Sequence, residues 1–89
     1  MSERAALRKL IVDWLDDRYL FGDAATLIRS DDLSFLENGI LDSLGFVQLV
    51  LMLEDRYRIK IDRKHLTRAN FDSMNKILSY VAAQAGWRA

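Results

Sequence analysis

No proline interrupts this chain of 89 residues, glycine occurs only four times, and the apolar residues recur three and four positions apart. Proline and glycine are the commonest helix breakers, and that spacing lines an apolar stripe along one helix face. The chain is therefore expected to be all-α. Ser2 can cap a first helix over roughly 3–20, with Leu7, Leu10, Ile11, Trp14 and Leu15 on its inner side and Gly22 as its stop. Residues 23–42 read as a long connection, with polar punctuation at Asp31, Asp32, Asn38 and Gly39 and apolar pegs at Leu33, Phe35, Leu36, Ile40 and Leu41. A connection of that length in a small domain is usually functional or carries a short helical turn.

A second helix fits 43–57. The alternation Arg58-Ile59-Lys60-Ile61 has the period of a strand but no partner strand, so it is expected to be an extended connector. Asp62 can cap a third helix near 63–68, and Asp72 or Ser73 a fourth near 73–85 that buries Met74, Ile77, Leu78 and Val81 and ends at Gly86. The expectation is a four-helix bundle with a long loop between helices 1 and 2, a single domain over 1–89.

Composition narrows the function. A domain of this size leaves much of its surface exposed and has little volume to enclose a substrate, which favours a carrier or binding module over an enzyme. The 13 basic and 13 acidic residues cancel, so no net field attracts nucleic acid or an anionic membrane. Cysteine is absent, which removes disulfides, thiolate metal sites and cysteine nucleophiles, and any thiol chemistry would use an imported sulfur. There is no apolar run of signal-peptide or membrane-spanning length, so a cytoplasmic protein is expected.

The informative stretch is Leu36-Glu37-Asn38-Gly39-Ile40-Leu41-Asp42-Ser43-Leu44-Gly45. It sets Ser43 where a loop becomes a helix, and there the first N–H groups lack partners and the helix dipole presents its positive end. A phosphate ester on Ser43 would be stabilised there. A serine so placed can equally be a simple N-cap. The following helix divides into two faces at about 100° per residue. Phe46, Leu49, Val50, Leu53 and Tyr57 form a core stripe. Leu44, Gln48, Leu51 and Asp55 lie opposite with Met52 flanking, an apolar patch that either docks a partner or packs against the 23–42 loop.

Gly39-Ile40-Leu41-Asp42-Ser43-Leu44 resembles the phosphopantetheine attachment motif of the acyl and peptidyl carrier protein family, and the resemblance runs from about Leu33 to Val81. It includes Val47, Leu49 and Val50, then Leu53-Glu54, Tyr57 and Ile59-x-Ile61. Within that family the chain is similar to the stand-alone D-alanyl carrier proteins, through Gly45, Val47-Gln48-Leu49 and Phe71-Asp72-Ser73-Met74-Asn75-Lys76-Ile77. Leu44 stands where that subfamily usually has methionine, and Phe71 where it usually has tryptophan.

The resemblance implies an acyl-carrier-protein-like fold and 4′-phosphopantetheine held covalently on Ser43. Asp42 would orient the serine, and Leu44 would sit beside the attachment point. It implies a phosphopantetheinyl transferase using coenzyme A and magnesium, an adenylating acyl- or aminoacyl-ligase that loads the arm, and a downstream acyltransferase or synthase that unloads it. The protein itself would be a monomer that catalyses nothing. Leu44, Gln48, Leu51, Met52 and Asp55 would form the partner-binding face.

Residues 31–55 carry six acidic and no basic side chains, whereas 56–68 hold Arg56, Arg58, Lys60, Arg63, Lys64 and Arg68 against Asp62 alone. Carrier proteins of bulk fatty-acid synthesis are typically acidic throughout this region, so the basic run implies dedicated partners, or else a solvated face. Three other readings compete: a non-covalent helical adaptor using the Leu44/Leu51/Met52 face, a nucleic-acid binder using the basic run, and a hydrolase pairing Ser43 with His65. The last lacks a Gly-x-Ser-x-Gly elbow, since Leu41 stands at the first glycine position.

Overall fold

The computed structural model describes residues 3–84, and all their regular structure is helical. The first helix, α1 (Glu3–Leu15), buries Leu7, Ile11 and Leu15 completely, while Leu10 and Trp14 reach only half-burial at the edge of the stripe. Past Leu15 the winding widens into a π turn over Asp16–Leu20. A π turn brings residue i+5 rather than i+4 back over i, so Leu20 returns to the core beneath Leu15. Phe21 (φ +50°) and Gly22 (φ +95°), both left-handed, then stop the helix. The expected first helix over 3–20 is thus two helical forms in series.

Among the described residues the expected four helices become five α-helices. The 23–42 connection contains α2 (Ala24–Leu27), started by an Asp16 side-chain oxygen that accepts the Ala24 N–H at 2.7 Å. Of its expected pegs, Phe35, Ile40 and Leu41 are buried, Leu33 is half-buried and Leu36 is exposed. The next helix, α3 (Ser43–Tyr57), has the expected bounds and ends at Arg58, which takes a left-handed φ of +56°. Residues 58–61 form the expected connector and no strand, with Ile59 and Ile61 buried and Arg58 and Lys60 exposed. Glu54 holds it by accepting the Ile61 N–H at 2.8 Å.

The expected 63–68 helix is split. Asp62 does cap it, accepting the Lys64 N–H, but only a 3₁₀ turn, Arg63–His65, follows. Extended backbone at Thr67 separates it from α4 (Arg68–Phe71). Residues 63–67 offer only the half-buried Leu66 to the interior, and a helix without an apolar stripe gains too little from packing to persist. The last helix, α5 (Met74–Ala82), is capped by Ser73 and buries Met74, Ile77, Leu78 and Val81 as expected. Ser2 and Gly86, the expected outer cap and stop, lie outside the described residues. One hydrophobic cluster joins α1, α3, α5 and the pegs of the connection.

Candidate functional site

Asp42, not Ser43, caps α3. Its backbone is extended (φ −101°, ψ −176°), its Oδ1 accepts the Gly45 N–H at 2.8 Å, and its carbonyl accepts the Phe46 N–H at 3.0 Å. Ser43 is thereby the first residue inside the helix and is exposed, and its hydroxyl makes no hydrogen bond to another described residue. The capping role that a serine at a helix start usually fills is already taken. The N–H groups of Ser43 and Leu44, also in the first turn, have no partner among the described residues and point toward any anion placed there.

Gly45 permits this geometry. A Cβ there would stand 2.8 Å from Leu41 Cδ2 and 3.3 Å from Asp42 Oδ1. Its absence lets the buried Leu41 and the capping carboxylate close over the first turn. Leu41 is itself held by its turn: the Phe35 carbonyl accepts the N–H groups of Ile40 (2.8 Å) and Leu41 (3.3 Å), and Gly39 supplies a left-handed φ of +67°.

Behind that turn sits Asp72, 3% exposed. Its carboxylate accepts the Ser34 hydroxyl (2.6 Å), the Leu36 N–H (2.9 Å) and Arg68 Nε (3.2 Å), while its carbonyl accepts the Phe35 N–H (3.0 Å). Burial alone would push the Asp72 carboxyl up. The hydrogen bonds from Ser34, Leu36 and Arg68 outweigh it and hold the group below the ordinary carboxylate range. Arg68 also donates to Glu37 at 2.6 Å, so it spans two carboxylates.

A second clasp lies further back. Arg8 donates Nε and Nη2 to Asp31, and the Asn75 N–H donates to the Asp31 carbonyl. The Arg8 hydrogen bonds hold the Asp31 carboxyl below its usual value.

A groove of about 240 Å³ opens beside Ser43, walled by Phe46 and Val47 of α3, Leu36, and Leu66, Arg68 and Phe71. That is below the roughly 300–1,000 Å³ of pockets that enclose a small molecule. It is large enough to seat one stretch of a flexible chain and smaller than a pocket for a drug-sized ligand.

On the outward side of α3, Leu44 (64% exposed) and Leu51 (52% exposed) are bare, and Gln48 and Asp55 are exposed beside them. Those four expected partner-face residues are all exposed, and their leucines are not buried beneath the 23–42 connection. Met52 differs: it is half-buried and packs against the core. Gln48 is engaged, accepting the Tyr19 hydroxyl at 2.6 Å.

The basic residues from Arg56 to Arg68 are all exposed. Of these six, only Lys64, with Asp62, and Arg68 form ion pairs with other described residues. His65 shares a 2.8 Å hydrogen bond with the Tyr80 hydroxyl and does not line the groove beside Ser43, so no Ser–His pair forms. No described helix is long and apolar enough to cross a membrane.

The chain is 33% identical to a D-alanyl carrier protein of Lacticaseibacillus casei (strain BL23) over 76 residues, covering 85% of this chain and 90% of that one. The chain belongs to the D-alanyl carrier protein family. A second such protein, from Streptococcus uberis, is 35% identical over 71 residues, covering 80% of this chain and 85% of its own. One from Leuconostoc mesenteroides is 31% identical over 80 residues, 90% of this chain and 97% of that one. No protein-family model and no solved structure matches the chain.

The groove wall contributed by Arg68 and Asp72 escapes a reading of the sequence. Ser34 and Leu36 meet Asp72 across more than thirty intervening residues, and no local spacing signals that pairing. Tyr19 on Gln48 is hidden for the same reason.

Proposed function

We propose that the protein is a single carrier domain that holds 4′-phosphopantetheine on Ser43 and moves D-alanine between enzymes as a thioester. The observation that carries this reading is the state of Ser43 in a chain of this family. Its hydroxyl is exposed and unbonded on the first turn of α3, because Asp42 has taken over the cap. The free N–H groups of Ser43 and Leu44 suit the phosphate of such an arm, so the residues present fit the group.

When bound, the arm supplies a terminal thiol that holds the cargo. Ser43 fixes the arm's origin, Asp42 and Gly45 fix the helix start, and the shallow groove leaves most of the arm free to reach an active site elsewhere. Tethering of this kind raises the cargo's effective concentration at each partner. The chain performs no catalysis of its own in this scheme. A phosphopantetheinyl transferase modifies it, an ATP-dependent adenylating ligase loads it, and a downstream acyltransferase unloads it, with the protein a cytoplasmic monomer. Those enzymes dock on the exposed Leu44, Gln48, Leu51 and Asp55, with Met52 supporting from the core side.

Incubation with coenzyme A, magnesium and a broad-specificity transferase should add one phosphopantetheine by intact mass, and none to Ser43→Ala. A D-alanine-activating ligase should then load the modified form in preference to L-alanine. The bare leucines also favour a second reading, a non-covalent adaptor, and under it Ser43→Ala would keep full activity.

A further inference from the structure

Apart from Ser43 itself, the groove has apolar walls except at Thr67, Arg68 and Asp72, and Arg68 is its one cation. Asp72 is buried and fully engaged. Arg68 is not: Nε and Nη2 contact Asp72, and Nη2 also contacts Glu37, whose side chain is 69% exposed. An exposed ion pair is a weak and exchangeable contact. Of the six basic residues in 56–68, Arg68 alone lines the groove that Ser43 lines. Arg56 lies thirteen residues along α3 from Ser43, about 20 Å at 1.5 Å per residue. The fold therefore brings one guanidinium, and one only among those six, to the end of α3 where a phosphodiester would be attached, and it brings it there already anchored.

We propose that Arg68 is the resident partner of the arm's phosphodiester, exchanging Glu37 for it on modification while Asp72 keeps the guanidinium at the groove. This rests on the reading that Ser43 carries the arm. The chemistry of Arg68 suits such an exchange, because a planar guanidinium can face a carboxylate on one edge and a phosphate on another. Glu37 then acts as a stand-in anion in the unmodified protein, and the first stretch of the arm is drawn toward Leu66 and Phe71.

The test compares wild type with Glu37→Gln, before and after modification, following the Arg68 Nε–Hε cross-peak by ¹H–¹⁵N NMR and the arm by ³¹P NMR. Intact mass first establishes that each sample carries the arm. In the unmodified state the two proteins should differ at Arg68, because only one has Glu37. After modification they should converge on one position, and Arg68→Gln should move the ³¹P resonance toward that of a phosphopantetheinylated Ser43 peptide. Arg68→Lys, which keeps a cation, should keep the ³¹P resonance nearer the wild-type position, and it serves as the readout if Arg68→Gln folds poorly. Modified proteins that stay as far apart at Arg68 as the unmodified pair would overturn the proposal and leave the arm's attachment standing. Failure to gain mass at Ser43 would remove both readings together.

Discussion

Replacing Asp72 by alanine should cost about 3 kcal/mol at neutral pH. The side chain is 3% exposed and accepts hydrogen bonds from the Ser34 hydroxyl and the Leu36 N–H; the third donor, Arg68, is a largely exposed side chain that water can resolvate, so its loss adds little. A hydrogen bond to a charged group contributes about 1.5–3 kcal/mol. Ser34 and Leu36 lie near enough to solvent to recruit water, which places each loss at the lower end of that range. In urea, a slope of about 1 kcal/mol/M puts the midpoint about 3 M lower.

Asp72→Asn keeps an acceptor but no charge, and should cost roughly half as much. Its dependence on pH is the sharper check. The Asp72 carboxyl is held below its unfolded value of about 3.9, so between the two values the unfolded chain binds more protons than the folded one. The stabilisation is complete above the unfolded value and is lost as pH falls through the folded one. The gap between wild type and Asp72→Asn should accordingly be wide at neutral pH and narrow as pH falls below the unfolded value of about 3.9. A loss below about 1 kcal/mol for Asp72→Ala, or a gap to Asp72→Asn that does not narrow in acid, would refute the view that this carboxylate clasps the loop.

Gly45→Ala should lose about 1 kcal/mol net by thermal or urea unfolding, because the new methyl meets the buried Leu41 and the cost of overpacking exceeds the helix-propensity gain. A gain in stability would mean that Leu41 can turn aside freely. Arg58→Gly should stabilise by about 0.5–1 kcal/mol, a rise of a few degrees in Tm, since Arg58 ends α3 at a φ of +56° that glycine adopts without steric cost. No change would show that the arginine side chain offsets its strain. Leu53→Ala and Ile77→Ala, both fully buried, should each cost about 2–5 kcal/mol in the same assay. Leu51→Ala should leave unfolding within about 0.5 kcal/mol yet slow loading by the ligase; the partner-face assignment fails if loading is unchanged.

What can be read from the residues alone follows from the range of the forces involved. The face of α3 that packs inward is legible from spacing, because Leu49, Val50 and Leu53 obey a local period. The exposure of Leu44 and Leu51 follows from the same period. The caps at Asp62 and Ser73 are also legible, each being settled within two or three residues. The π turn is not, because its cause is the tertiary requirement that Leu20 reach the core. Nor is the split at Thr67, where the alternation of helix formers conceals how little residues 63–67 bury. At the site, Ser43 stands out in the sequence, but the role of its neighbour is only half visible there. Asp42 reads as a favourable charge near a helix dipole, whereas its geometry makes it the cap itself.

The two segments that carry the family likeness are parts of one mechanical path. Asp72 fixes Leu36 through its carboxylate and Phe35 through its carbonyl. The Phe35 carbonyl then holds Ile40 and Leu41, Leu41 rests against Gly45, and Gly45 donates to Asp42, which starts the helix at Ser43. Each step is a hydrogen bond or a contact that tolerates little displacement, so the position of the serine is set from the beginning of α5, about thirty residues along the chain. Phe71-Asp72-Ser73 and Asp42-Ser43-Leu44-Gly45 therefore constrain each other even though they share no side-chain hydrogen bond. A substitution at Asp72 that left the fold intact would still loosen the turn before Ser43, and hydrogen exchange at the Leu36, Ile40 and Leu41 amides would register it before any change at α1.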